Sequence, residues 1–466
     1  MTLMKFDPRS KSDIIRDPIH GYIRFTLGDG ESDAGENDLI DTKWMQRLKR
    51  IFQLQTAWLV YPGAVHTRFL HSLGVMHLAG KFAKKLYYHF KEVYPNESIP
   101  DVEAVVETCR IAGLLHDIGH GPFGHTLDQV YTYKKFKVTH EDIGRKIIMT
   151  ELADIIKNIR RSPEGKFETA LDPELICNFI KPIGEYKNLW EKIFSKIIYG
   201  LYSVDKLDYL IRDAYYCGVR EYGLLDIDRL LETTSVFEDG LVLHKSSAAA
   251  LKAFLIARLF MYENVYYHKT VRSIDISFSE ILEPAFDELE LGNPLDNLKK
   301  FYKLDDFYMH SCITSWADTE KGRKQQIGIE WQNLLNRKLR WKIAYQKDIN
   351  ALSVDNIFFK VPDKETIRNM INSQLNEPID IRVDTPILDV RPENPFSTKE
   401  RKNAVAIFDP ILKKIDKNGL SKLSKNIPVK FISFRIFSEL KDTRKIYDCA
   451  KNLFEQTDFD LQESSF

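Results

Sequence analysis

The sequence predicts a mainly α protein with a smaller C-terminal α+β region. Apolar residues recur at helical spacing from about residue 40 to 290, interrupted by loop signals at YPNESIP (94–100), at RSPEG (161–165) and around 235–245. Strand-like runs then gather after residue 350: NIFFKV, DIRV, AVAIF and VKFISFRIF. A chain of 466 residues is long enough for two or three domains and a large core. The expected divisions are 1–40, an N-terminal hairpin with an acidic loop; 41–300, the helical core; 301–349, a basic helical connector; and 350–466, the α+β region.

Each element has its own signal. DPIHGYIRF opens on turn residues and then alternates, which reads as a short hairpin or edge strand. GDGESDAGEND (28–38) holds three glycines and almost no apolar residue, so a flexible acidic loop is expected. In the helix beginning near Thr67, His71, Val75, Leu78 and Phe82 share a face, which puts an imidazole on the core-facing stripe. In the next long helix Val105, Cys109, Ala112 and His116 do the same. There Gly113 permits close helix approach, and Pro122 marks the end soon after Gly121. Between 194 and 217, Asp205, Tyr209, Asp213 and Tyr216 line one helical face. AAALKAFLIARLF is the most apolar stretch, but Lys252 and Arg258 break it, and it is too short and too charged to span a bilayer.

Composition excludes little and suggests a soluble, cytoplasmic protein without membrane attachment. Lys plus Arg and Asp plus Glu are both 67, so no global charge favours nucleic acid or membrane. The five cysteines, at 109, 177, 217, 312 and 449, are odd in number and form no CxxC pair, which favours reduced thiols. MTLMKFDPRSKSD has no apolar h-region. The stretch 320–347 is locally basic and interleaves Trp331 and Trp341, a possible nucleic-acid surface. A solvated helix face with its tryptophans in the core is the favoured reading.

The chemistry gathers on His71, His116, Asp117 and Asp205. Two imidazoles and two carboxylates make a mixed N/O set suited to a divalent metal: Mn, Fe, Ni, Zn or Mg. Each sits on an apolar helical face, where an unpaired polar group is costly, and a shared metal removes that cost. A metal with open positions activates water and polarises a phosphoryl oxygen, so the set points to phosphoester or phosphoanhydride hydrolysis. His120 and His125 in HDIGHGPFGH and His140 in VTHED read as neighbouring or phosphate-facing groups. One of them could act as a general acid. Arg68 and Lys206 read as phosphate contacts, or otherwise as solvated surface cations.

The ordered motifs DPIHGYI, YPGAVHTRFLHSLGV, IAGLLHDIGHGPFGH, VTHED and VDKLDYLIRD resemble the HD-domain deoxynucleoside triphosphate triphosphohydrolases, in the branch of the vertebrate SAM-and-HD-domain enzyme and its prokaryotic relatives. The resemblance covers roughly 14–290 and implies a helical HD-domain phosphohydrolase core. It places the metal ligands on His71, His116, Asp117 and Asp205, the catalytic histidine pair on His120 and His140, and a further pocket histidine on His125. It also implies phosphate contacts at Arg68, Lys206 and Arg258, sugar contacts at Tyr209 and Asp213, a 3′-hydroxyl reader at Gln53, and Tyr266 packed beneath the deoxyribose. The reaction implied is water attack on the α-phosphorus, releasing a deoxynucleoside and inorganic triphosphate.

A homo-oligomer, dimer or tetramer, is implied as well, with a nucleotide effector pocket that keeps Asp41, Gln46, His268 and Lys269 in type. Departures stand at Arg16, where the pattern has asparagine, and at Lys49, where a lysine cannot reproduce a bidentate arginine. Tyr262 and Tyr267 replace a histidine and a glutamine near the pocket. The competing functions are another HD phosphohydrolase, a nucleotidase or cyclic-nucleotide phosphodiesterase, and a nucleic-acid-binding regulatory protein with an idle metal site.

Overall fold

The computed structural model describes residues 11–29, 33–352, 363–375, 377–390, 405–441 and 443–456, so the run NIFFKV lies outside the described residues. The chain opens on a hairpin of β1 (Ser12–Asp17) and β2 (Gly21–Thr26), paired from Ser12 with Thr26 to Asp17 with Gly21. Gly21 closes the turn at φ 74°, a conformation open to glycine.

The acidic stretch departs from expectation. Glu36 starts a short helix and is fully buried, held by Arg110 through Nε at 2.6 Å and Nη2 at 2.9 Å. A buried carboxylate with a guanidinium fork is a structural pair, and composition alone does not distinguish it from a solvated loop.

The centre of the molecule is α1 (Arg68–Val93) packed on α2 (Val102–Leu115). A Cβ at Gly113 would stand 3.1 Å from the Val75 carbonyl oxygen, so the glycine sets the spacing of the pair, as expected. The end of α2 is a correction: the helix stops at Leu115 rather than running to Gly121, and His116 caps it. Asp117 and His120 therefore lie in the turn beyond. Gly119 is pressed against α3 (His140–Ile147), where a Cβ would lie 2.0 Å from the His140 carbonyl oxygen. Likewise α4 (Val204–Cys217) begins only after a break at Gly200, and it ends at Gly218 with φ 76°.

Next come the hairpin strands β3 (Thr234–Phe237) and β4 (Gly240–His244), then α5 (Ala248–Met261) and α6 (Lys269–Glu288), joined through a π-helical turn over Tyr262–Tyr266. Behind α6 pack α7 (Asp306–Thr319) and α8 (Arg323–Leu335). Trp331 and Trp341 are buried, Trp331 against Phe123, Phe278 and His310. The indoles of the basic stretch are core residues, with no face free to stack on a base.

The C-terminal region includes β5 (Lys342–Ala351), α9 (Lys364–Asn372), β6 (Ile381–Asp384), β7 (Ile387–Asp389), β8 (Ala406–Asp409), β9 (Lys414–Asp416), β10 (Lys430–Ser438) and α10 (Arg444–Gln456). β10 is central to one sheet, antiparallel to β5 on one side and to β6 and β7 on the other. A second core under this sheet contains Ile349, Ile367, Ile371, Ile436 and Ile446.

The C-terminal region is not separate from the helical core. β8 runs parallel to β4, extending the β3–β4 hairpin into a four-stranded sheet, and Leu388, Val390, Ile407 and Phe431 belong to the main core. An isolated hairpin leaves an open edge, and β8 covers it. The described cysteines are all free, three of them buried. No described helix is long and apolar enough to cross a membrane.

The Glu36–Arg110 pair yields a stability prediction. Arg110→Met strips the countercharge from a fully buried carboxylate and should cost about 3–5 kcal/mol in urea unfolding. A loss under about 1 kcal/mol would mean that Glu36 is not held by this pair.

Candidate active site

α1, the end of α2 and the start of α4 bring four ligand-type side chains together. His71 Nε2 lies 3.2 Å from His116 Nε2 and 3.1 Å from Asp205 Oδ1. His116 Nε2 stands 3.4 Å from Asp117 Oδ1 and 3.7 Å from Asp205 Oδ1. His71 and Asp117 are buried, at 1% and 6% exposure. Each imidazole is fixed from its other nitrogen: His71 Nδ1 donates to Asp208 at 2.8 Å, and His116 Nδ1 donates to the Gly113 carbonyl at 2.8 Å. Ring nitrogens anchored to a carboxylate and to a carbonyl are the usual outer contacts of metal-binding histidines. The set thus passes a chemical test for a divalent cation, since His71, His116 and Asp117 present ligand atoms within 4.8 Å of one another and Asp205 Oδ1 stands beside both Nε2 atoms. Without a cation a proton supplies the positive charge. Burial works against it, but the bonds to Asp205 and Asp208 push His71 up to about 10.

Asp208 was not singled out from the sequence, although it stands one helical turn from Asp205. It is fully buried and receives four donors: His20 Nε2 at 2.6 Å, His71 Nδ1 at 2.8 Å, and Arg212 Nε and Nη2 at 2.8 and 2.9 Å. Burial opposes ionisation, but the Arg212 guanidinium and the bonds from His20 and His71 hold its carboxyl well below the usual range.

Arg68 does not stand free at the mouth. Its Nη1 donates to Asp117 Oδ2 at 2.6 Å, while its buried Nε has no partner. Lys206 donates to the Gly200 carbonyl at 2.7 Å, and burial, then the Arg258 charge, pull its ammonium down to about 8. Both line one cavity of about 1030 Å³, together with Gln53, the four ligand-type residues, His120, His125, His140, Tyr209, Asp213 and Tyr266. Arg258 is not among the lining residues. Its Nη1 donates to the Asp389 and Val390 carbonyls at 2.6 and 3.2 Å.

A second histidine group borders the first. His120 and His140 stack at 3.7 Å between ring centroids, and His125 meets them edge-on at 4.9 and 5.2 Å. His140 Nδ1 donates to Asp128 at 2.6 Å, a partner the sequence reading missed. Asp128 opens a π-helical turn, Asp128–Thr132, and π turns concentrate at functional sites. His120 Nδ1 is buried without a partner.

The far wall is built from phenols and Asp213. Tyr266 donates to Asp213 Oδ2 at 2.6 Å and His66 Nε2 donates to Asp213 Oδ1 at 2.7 Å, so both carboxylate oxygens are held. His66 also went unremarked in the sequence; it stacks on Tyr216 at 4.6 Å. Gln53 keeps a buried side-chain oxygen without a donor. The expected effector residues fall on separate elements. Asp41 and Gln46 lie around the second short helix, where Gln46 donates to the Ile40 carbonyl, and His268 and Lys269 lie at the start of α6.

The turn that presents His120 and His125 is strained. Phe123 has φ 60°, unfavourable for a bulky residue, and Gly124 follows at φ 51°. Asp306, at the start of α7, clamps this turn to the Gln53 loop by accepting from Phe123 N and Phe52 N, both at 2.8 Å. Burial pushes its carboxyl up to about 7 against those bonds. Arg47 adds a second tie, donating to the His120 and Leu304 carbonyls.

Residues 68–193 match the HD domain model and residues 225–417 match the HD associated region. The chain is 32% identical over 327 residues to the uncharacterized protein YwfO of Bacillus subtilis, covering 67% of this chain and 68% of that one. It is also 32% identical, over 346 residues, to the deoxynucleoside triphosphate triphosphohydrolase SAMHD1 homolog of Dictyostelium discoideum, covering 71% of this chain but only 60% of that protein. A crystal structure of a hypothetical protein from Aquifex aeolicus superposes with a TM-score of 0.68 at 27% identity, over 95% of this chain and 100% of that chain.

The Asp306 clamp is open to test. Asp306→Ala leaves two buried backbone N–H groups without acceptors and should cost about 1–3 kcal/mol for each. Hydrogen exchange at the Phe52 and Phe123 amides should speed up together. Unchanged exchange at both amides would assign the turn to side-chain packing alone.

Proposed function

The chain belongs to the HD-domain phosphohydrolase family, and we propose from that premise that it hydrolyses deoxynucleoside triphosphates to deoxynucleoside and inorganic triphosphate. The observation that carries the reading is the convergence of His71, His116, Asp117 and Asp205 on one point of a cavity walled by cations, histidines and phenols. These four residues would hold a divalent ion: Mn, Fe, Mg, Zn or Ni. When bound, such an ion lowers the pKa of a water and neutralises charge on a phosphoryl oxygen.

The chain's own groups supply the rest. Arg68 and Lys206, which both line the cavity, draw the triphosphate to its floor, and Arg68 is aligned by Asp117. His140, oriented by Asp128 through Nδ1, has Nε2 3.4 Å from Glu141 Oε1 and from there would deliver a proton to the leaving 5′-oxygen. His120 stacks beneath it and fixes its plane. Tyr209, Asp213 and Tyr266 grip the sugar, and the unpaired Gln53 oxygen accepts from its 3′-hydroxyl. Arg258 falls outside this scheme, because its guanidinium is turned to backbone carbonyls. We propose further that the protein acts as a homo-oligomer, in which Asp41 and Gln46 of one subunit could meet His268 and Lys269 of another around a nucleotide effector.

The test is to incubate the metal-loaded protein with each dNTP and rNTP, singly and mixed, and to identify products by mass. Inorganic triphosphate with a deoxynucleoside supports the reading. Orthophosphate, or hydrolysis confined to cyclic nucleotides, would replace it with another phosphohydrolase activity. Hydrolysis seen only in mixtures would point to an effector.

Two sets of variants sharpen this. Asp117→Ala removes one of four ligands and should abolish metal retention and hydrolysis while the protein stays folded; full activity in a metal-free Asp117→Ala protein would sink the metal reading. Tyr266→Ala should narrow the gap between dNTP and rNTP rates by opening space for a 2′-hydroxyl, and Gln53→Ala should weaken rejection of 2′,3′-dideoxynucleotides. Wild-type protein that hydrolyses rNTPs as fast as dNTPs would end the sugar-gate reading.

A further inference from the structure

The N-terminal hairpin is joined to the cluster by a chain of buried polar contacts. Asp17, at the end of β1, is 3% exposed. Its Oδ1 accepts from the Ile19 and His20 amides at 2.9 and 2.8 Å, and its Oδ2 accepts from Arg212 Nη1 at 2.8 Å. Arg212 passes the contact on to Asp208 with two further donors, and His20 reaches the same carboxylate directly at 2.6 Å. Asp208 then holds His71 Nδ1. The space for this chain of contacts exists because residue 74 is glycine. A Cβ there would lie 1.9 Å from Asp208 Oδ1 and 2.5 Å from Arg212 Nη2.

Two hairpin residues therefore take part in fixing one ligand-type imidazole. Four donors saturate the acceptor capacity of Asp208, so its carboxylate has one orientation, and the His71 ring plane follows from it. If the hairpin lifts, Asp208 loses the His20 donor and Arg212 loses its second carboxylate.

We propose that the β1–β2 hairpin is a positioning module for the metal: Asp17 and His20 act through Arg212 and Asp208 to hold His71 Nε2 toward the ion, so hairpin docking and metal affinity are coupled. The proposal rests on the metal reading above. Coupling of this kind is reciprocal: bound metal must favour the docked hairpin as much as the docked hairpin favours metal. His20 and Asp17 are positioning residues and touch neither metal nor substrate. The hairpin thereby becomes a place where anything that binds or displaces it, a second subunit or a small ligand, changes the metal centre without entering the cavity.

The experiment uses Mn²⁺ and two readouts besides turnover. The first is Mn²⁺ affinity by chelator competition for wild type, His20→Ala and His20→Gln. His20→Ala should bind Mn²⁺ about tenfold more weakly, in the range of lost outer contacts to a metal-bound histidine. His20→Gln, which restores an N–H donor of similar reach, should recover much of the loss. The second readout needs no variant: hydrogen exchange at the Ile19 and His20 amides of wild-type protein, with and without Mn²⁺. Exchange should slow when Mn²⁺ is added, and Asp205→Ala, which spares the hairpin contacts, should abolish that slowing. Wild type that binds no Mn²⁺ overturns the metal reading and the coupling with it. Wild type that binds Mn²⁺ with hairpin exchange unchanged, or His20→Ala that binds it as tightly, overturns the coupling alone.

Discussion

Two imidazole nitrogens and two carboxylates aimed at one buried point require a positive charge among them. In this protein that requirement shapes three segments at once. α1 supplies His71, the turn after α2 supplies His116 and Asp117, and α4 supplies Asp205. Arg68 offsets part of the charge through Asp117, and the raised His71 pKa means that a proton offsets more in the absence of a cation. The backbone must come close for this to happen, and the glycines mark where. Gly74 faces Asp208 and Gly119 faces the start of α3, each at distances a Cβ would not tolerate, and Gly113 faces α1 where a Cβ would be crowded. A chain built this way commits core volume to a charged cluster instead of apolar packing, a costly choice unless the cluster is used.

Beside that cluster, rigidity comes from clamps rather than from helix alone. The second histidine group sits on a turn with a left-handed phenylalanine, held by Asp306 and Arg47 from behind. The tyrosine wall sits on a π-helical turn held by Asp213, which His66 in turn holds. Behind the cavity, Asp306 and Arg47 hold the first turn through backbone groups, and His66 holds Asp213, itself a cavity-lining residue, as a second layer. That second layer is where strained backbone is stabilised, and it keeps the reacting groups from relaxing into ordinary helix.

The first layer was legible in the sequence and most of the second was not, for a physical reason. His71 and His116 stand out because a polar ligand-type residue on an apolar helical stripe breaks the expected pattern. Gly113 was legible for the same reason, as a small residue on a packing face. Asp208, His66, Asp128 and His20 break no pattern, since each looks like a surface polar residue until the fold brings its partner from tens or hundreds of residues away. The end of α2 was misjudged because nothing local stops the helix at Leu115. Close approach of α3 at Gly119 does so, and a single helix cannot report that. The reach of the C-terminal strands into the main core was hidden likewise, because the pairing of β8 with β4 joins segments some 160 residues apart.

That long-range pairing bears on specificity. The cavity is bounded partly by Arg368, Arg382, Val383 and Asp384 from the C-terminal region. Three contacts fasten this wall to the tyrosine turn and the helices around it. Arg272 forks onto Asp384 at 2.7 and 3.0 Å, Tyr267 donates to the Ile387 carbonyl at 3.0 Å, and Arg258 donates to the carbonyls at the end of β7. Tyr262 and Tyr267, which depart from the family pattern, lie on the seam between the two regions. The turn is therefore gripped on one side by Asp213 and on another by β7. A change in either region alters the same phenols, so this wall of the cavity is shaped jointly by two stretches of chain. Arg68 and Lys206 can keep their own contacts while that wall changes.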